Sequence, residues 1–133
     1  MNLGFGDGAT AGNRIDPRPI LIVTGLLQEA RIAAGPGMTV ICSSSDPQQL
    51  RALLTVVDPS TIRGVISFGV AGGLDPALKS GDVVVATEVL AGDTRWLAGL
   101  TVNEELIASV ALGRSRVVRG GLAGVEQVVA ARS

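Results

Sequence analysis

The sequence predicts an α/β fold, three layers with a mostly parallel, mixed central sheet between helices, and three observations carry that expectation. Apolar runs without polar alternation recur along the chain (Ile20 to Val23, Gly64 to Val70, Val83 to Ala86), as in strands buried on both faces. Stretches rich in helix formers separate them, the alternation that builds a sheet covered by helices. The hydrophobic residues, 47% of 133, are almost all Ala, Val, Leu and Ile, with one Trp, two Phe and no Tyr. Such a composition packs thin aliphatic layers.

Residues 1–18 are rich in Gly and small polar residues and read as a flexible leader. The GFGDG run inside it (Gly4 to Gly8) has neither a preceding strand nor an immediate helix, so it reads as terminus and not as a nucleotide loop. The domain is expected over 19–133. PILIVTG opens it as a buried strand closed by Gly25, and Leu26 to Ala34 follows as a helix stopped by Gly35-Pro36-Gly37. Met38 to Cys42 reads as the second strand, ending in three serines. Asp46 then caps a helix with Pro47 in its first turn, where no N–H is needed. Leu50, Leu53, Leu54 and Val57 fall on one face of that helix and are expected to be buried.

Gly64 to Val70 is the expected third strand and Asp82 to Val89 the fourth, with a turn at Asp75-Pro76 and a polar bend at Lys79 to Asp82 between them. A loop containing Trp96 follows. Asn103 is placed as the cap of a helix with Glu104 and Glu105 in its first turn and Leu106, Ile107 and Val110 on its apolar face. A strand from Arg116 to Leu122 and a stretch from Gly124 to Ala131 close the chain. The expected order is β-α-β-α-β-β-α-β-α.

Eleven basic against twelve acidic side chains leave a net charge of −1. That balance argues against nucleic acid as a partner. The apolar runs are too short to span a membrane, and no basic-then-apolar segment opens the sequence, so the expected location is cytoplasmic. A single cysteine, Cys42, and no histidine exclude an internal disulfide and a Cys/His zinc site. No metal site is expected, and chemistry must run on carboxylates, hydroxyls, Arg, Lys and backbone amides.

Glycines at the carboxyl end of a parallel strand let main chain approach a ligand closely, which makes Gly69, Gly72 and Gly73 candidates. Structural turns produce the same pattern. Strand, then Gly-x-Ala-Gly-Gly-Leu, then Pro-x-Leu-Lys-x-Gly-Asp and a Val-rich strand resembles the nucleoside phosphorylase superfamily, which includes the methylthioadenosine/adenosylhomocysteine nucleosidases. TGLLQEARIAAGPG (Thr24 to Gly37), SSSDPQQL (Ser43 to Leu50) and SFGVAGGLDPAL together are most similar to its hopanoid-associated phosphorylase branch.

The resemblance implies a phosphorylase/nucleosidase-like fold and cleavage of a purine nucleoside's N-glycosidic bond, releasing adenine, with an adenosylated hopane as the branch's substrate. It implies no cofactor, and leaves water or phosphate as co-substrate. It also implies a small-molecule nucleoside as partner and a homo-oligomer. Glu29 corresponds to the catalytic acid/base, and a dry pocket raising its pKa toward neutrality would suit that role. From the residue alone, an ordinary solvated helix glutamate is the lesser reading. Gly69, Val70, Ala71 and Gly72 correspond to the segment that meets the ribose and the nucleophile.

The sequence departs from the family in three places. Val70 stands where nucleosidases carry Ser, and Val125-Glu126 where relatives show Ser-Asp or Gly-Asp. The family's ribose-binding Met-Glu-Ser segment and its later leaving-group Asp have no counterpart, so the chain reads as the N-terminal portion of the fold. The alternative to an enzyme is therefore a truncated, non-catalytic remnant serving as a binding or interaction module. A dinucleotide-binding oxidoreductase is a weaker option, since no Gly-x-Gly-x-x-Gly follows Val23.

Overall fold

The computed structural model describes residues 16–124. The expected leader, apart from its last three residues, and the closing stretch beyond Gly124 lie outside them. The chain divides between Val70 and Ala71 into two compact units, both α/β.

The first unit is built on β1 (Ile20–Thr24), which lies between β2 (Met38–Cys42) and β3 (Gly64–Ser67) in a wholly parallel sheet of order β2-β1-β3. Ile20 pairs with Met38 on one side and Gly64 on the other. The central position explains the uninterrupted apolar run: Ile20, Leu21 and Ile22 are the buried hydrophobic core of this unit, with Leu21 only 1% exposed. A strand with neighbours on both edges and cover on its faces has no use for polar alternation.

Helix α1 (Leu27–Ala33) connects β1 to β2, and α2 (Pro47–Thr55) leads from β2 toward β3 through a short 3-10 turn, Pro59–Thr61. The Asp46 cap forms as expected, its Oδ1 accepting the Gln48 amide at 2.9 Å with Pro47 at the first helical position. Asp58 repeats the device, accepting the Ser60 amide at 2.9 Å. The apolar stripe of α2 is less covered than expected. Leu50, Leu53 and Val57 are half-buried and Leu54 is exposed, because a three-stranded sheet offers the helix too little surface. The third strand also stops at Ser67, three residues early, since Phe68 makes the last ladder bond (its N–H to the Val23 carbonyl, 2.9 Å) and β1 then turns away into α1.

The second unit contains β4 (Val83–Ala91), β5 (Thr94–Leu97), α3 (Leu100–Val110) and β6 (Val117–Ala123), with strand order β5-β4-β6. β4 runs parallel to β6 and antiparallel to β5, which makes this sheet mixed. The segment around Trp96 is therefore a strand and not the expected loop. Ala91 and Thr94 close a two-residue hairpin whose first loop position is Gly92 at φ 57°, the place type II′ turns give to glycine.

α3 begins three residues before the expected cap. Gly99 is the N-cap, and Asn103 lies inside the helix, where its side-chain amide donates to the Ala86 carbonyl at 2.8 Å. The ladder bond from Ala98 N–H to the Thr87 carbonyl carries the chain directly into the first turn, leaving no room for a later start. Leu106, Ile107 and Val110 form the half-buried face, as their spacing predicts.

Candidate active site at the carboxyl end of the first sheet

Three backbone amides converge on one carboxylate where β1 and β3 end. β1 gives way to the Gly25-Leu26 turn, and Glu29 sits in the first turn of α1, so its side chain folds back over that turn. Glu29 Oε2 accepts the Leu26 amide at 3.0 Å and the Gly25 amide at 3.2 Å. Its Oε1 accepts the Val70 amide, just beyond β3, at 3.0 Å. The residue is only 9% exposed.

The Val70 amide, joined by those of Leu26 and Gly25, outweighs burial and holds the Glu29 carboxyl below its ordinary range. This corrects the expectation of a carboxyl raised toward neutrality: hydrogen bonds to the charged form favour ionisation more than partial burial opposes it. Glu29 is thus neither a solvated helix side chain nor a poised neutral acid. The three amides favour its ionised form. A carboxylate offers about four lone-pair positions, and three are filled, leaving one on Oε1.

Gly69 packs against this carboxylate. A Cβ built at residue 69 would lie 2.9 Å from Glu29 Oε1 and 3.1 Å from Cδ, so the close approach anticipated for this glycine is to an internal acid. The Val70 side chain is 91% exposed. Ala71 and Gly72 open the second unit as exposed, irregular chain, and a Cβ at Gly72 would meet nothing within 4 Å. A Cβ built at Gly73 would instead lie 3.3 Å from Leu78 Cβ. Glu29, Gly69 and Val70 are therefore brought together, whereas Gly72 is under no steric requirement.

Serines after β2 complete this end of the sheet; the sequence reads them as a strand terminus and as part of the SSSDPQQL resemblance, with no role at the site for any of them. Ser43 is buried, its amide donating to the Thr24 carbonyl at 3.0 Å, and Ser45 Oγ donates to the Gly25 carbonyl at 3.3 Å. Ser44 and Ser45 take left-handed φ values of 52° and 58°, unfavourable for L residues. Two adjacent non-glycine residues held this way are fastened by the bond from the Asp46 amide to the Ser43 carbonyl, 2.9 Å. The three-serine run ahead of Asp-Pro was the only available signal.

The sequence model of the phosphorylase superfamily matches residues 11–129. The chain belongs to the phosphorylase superfamily. No curated protein and no solved structure matches it.

Elsewhere in this superfamily member, Asp75 and Asp82 serve turns, as expected of them. Asp75 Oδ1 accepts the Ala77 amide at 2.8 Å, and Asp82 Oδ2 the Lys79 amide at 2.8 Å. Arg116 ties the end of this bend to β6. It pairs with Asp82 and donates to the Ala77 carbonyl at 2.8 Å, and its guanidinium holds the Asp82 carboxyl down to about 2. A cavity of about 70 Å³ lies beside α3, lined by Val85, Thr87, Asn103, Ile107, Glu104 and Arg119. Its two charged groups approach each other at 3.6 Å, and the space is far below what a nucleoside fills. Cys42 is half-buried and Trp96 53% exposed. Among the described residues no group of His, Cys, Asp or Glu could hold a metal ion, and no helix is long and apolar enough to cross a membrane.

Proposed function

We propose that the site at Glu29 serves cleavage of the N-glycosidic bond of an adenine-type purine nucleoside, releasing the base. Superfamily membership supports nucleoside glycosidic cleavage as the class of reaction. The observation that carries the reading to these residues is the Glu29 carboxylate, ionised and nine-tenths buried, against Gly69 and the Val70 amide.

Glycosidic cleavage passes through a sugar with oxocarbenium character. An anion already fixed by three amides requires no reorganisation as that positive charge develops. Glu29 would stabilise the sugar cation and orient the nucleophile through its open lone pair, with Gly69 and Val70 offering main chain to the sugar. The likeness of TGLLQEARIAAGPG and SFGVAGGLDPAL to the hopanoid-associated branch supports an adenosylated hopane as substrate.

The test is release of free adenine, followed chromatographically, from adenosine, methylthioadenosine, adenosylhomocysteine and an adenosylated hopane. Release from any of them, lost in Glu29→Ala, is the expected result. A folded chain that releases no base from any purine nucleoside would overturn the catalytic reading, and tight adenine binding without turnover would establish a binding module in its place.

A further inference from the structure

We propose that the serine loop after β2 positions Glu29 through main chain: Ser43 and Ser45 hold the carbonyl ends of the two peptide groups whose N–H ends grip Glu29 Oε2. The inference rests on the glycosidic reading above for its effect on rate, and on the geometry of the loop for its effect on the carboxylate.

The contacts pair off peptide by peptide. The Thr24 carbonyl accepts the Ser43 amide at 3.0 Å and Ser43 Oγ at 3.4 Å, and the N–H of that same peptide group, on Gly25, donates to Glu29 Oε2 at 3.2 Å. The next peptide group repeats the pattern. Its carbonyl, on Gly25, accepts Ser45 Oγ at 3.3 Å, and its N–H, on Leu26, donates to Oε2 at 3.0 Å. Hydrogen bonds in a chain polarise one another, so a peptide group that accepts at its oxygen is a stronger donor at its nitrogen. The serines therefore fix the plane of each peptide and strengthen its hold on the acid.

Residue 25 and the loop are both shaped for this contact. A Cβ at Gly25 would lie 3.2 Å from Ser45 Oγ and 3.9 Å from Glu29 Oε2, so hydroxyl and carboxylate crowd the place where a side chain would stand. Ser45 reaches back to a carbonyl 20 residues earlier from a chain turned left-handed at Ser44 and Ser45. Backbone held in that region by its surroundings is concentrated at functional sites, where the strain serves to place other groups. The Asp46 amide, bonded to the Ser43 carbonyl at 2.9 Å, anchors the loop to the start of α2.

Two variants of the full chain test the proposal. Ser45→Gly removes the hydroxyl while suiting the left-handed backbone, so it should fold, and Ser44→Gly gives the same backbone relief with the Ser45 hydroxyl in place. The carboxyl carbon of Glu29 is titrated by NMR, and the Leu26 amide proton is followed alongside. In Ser45→Gly the carboxyl should titrate at higher pH than in the native chain and the Leu26 proton should move upfield; in Ser44→Gly both should keep their native positions. With adenosine as the probe, kcat for adenine release should fall roughly two- to fourfold in Ser45→Gly at unchanged KM. A Glu29 titration and Leu26 proton unmoved in Ser45→Gly, or moved equally in Ser44→Gly, would overturn the proposal. A native kcat in a variant whose carboxyl has moved would overturn its claim on rate. If the native chain releases no adenine, the glycosidic reading fails by itself, and the NMR measurements still decide whether the loop positions Glu29.

Discussion

The Glu29 carboxylate accepts the Val70 amide at 3.0 Å, fastening together two points 41 residues apart in sequence. One side chain thereby positions the end of β3 against the turn after β1. The candidate site and the packing of the first unit depend on the same three hydrogen bonds.

Gly69→Ala places a methyl group 2.9 Å from Glu29 Oε1, where the carboxylate has no slack because its other oxygen is bound twice. Overpacking of this kind costs about 1–3 kcal/mol, and loss of the Val70 bond should accompany it. Gly72→Ala meets open space and should leave stability unchanged. Urea unfolding of the two variants checks the contrast; equal midpoints would show that Gly69 is not tightly packed.

Glu29→Gln keeps the shape of the side chain but replaces one acceptor oxygen with a donor facing backbone N–H groups. Bonds to charged groups contribute about 1.5–3 kcal/mol each, and unpaired partners add to the loss. The variant should unfold at clearly lower denaturant and release no adenine. A variant as stable as the native chain would mean that the three amides are satisfied without Glu29.

Acidification should weaken the native chain. The folded-state pKa of Glu29 lies below its ordinary 4.5 through the Val70, Leu26 and Gly25 amides, and that of Asp82 is lowered from 3.8 to about 2 by Arg116. Groups lowered on folding stabilise fully above their unfolded values and lose that contribution as pH falls through the folded ones. Tm should therefore hold from neutrality to about pH 4.5 and fall below it, less steeply in Glu29→Gln. A native Tm that rises on acidification would contradict the sign.

Ser44→Gly should stabilise the protein. Ser44 holds φ 52°, a conformation that costs an L residue roughly 1–2 kcal/mol and glycine far less. The greater freedom of glycine in the unfolded chain offsets part of the gain, so an increase of about 0.5 kcal/mol is expected in calorimetry or urea unfolding. A loss would show that the Ser44 side chain makes a contribution larger than the strain it imposes.

Elements written in local chemistry were legible from the sequence. β2 was expected at Met38 to Cys42 and occurs there, and the Asp46-Pro47 cap forms with the geometry its residue types require. β5 was missed because Thr94 to Leu97 is short and does not alternate; the Gly92-Asp93 pair, a two-residue turn signal between strands, could have revealed it. Asn103 has the chemistry of a cap, but Ala86, 17 residues earlier, takes its amide instead. At the site, Glu29 and Gly69 were both singled out, yet not for each other. The amides of Gly25 and Leu26 are local to Glu29, whereas the Val70 amide arrives only through the parallel pairing of β1 with β3. The lowered carboxyl follows from that long-range partner, which no reading of the α1 residues supplies.

The fit of position 69 against position 29 restricts how descendants of this sequence can diverge. A lineage that acquires any side chain at 69 first breaks the clamp, whereas one that first shortens 29 frees the neighbouring position to vary. Change at the pair is therefore ordered in time, acid before glycine, and relatives with a bulky residue at 69 should carry no glutamate at 29.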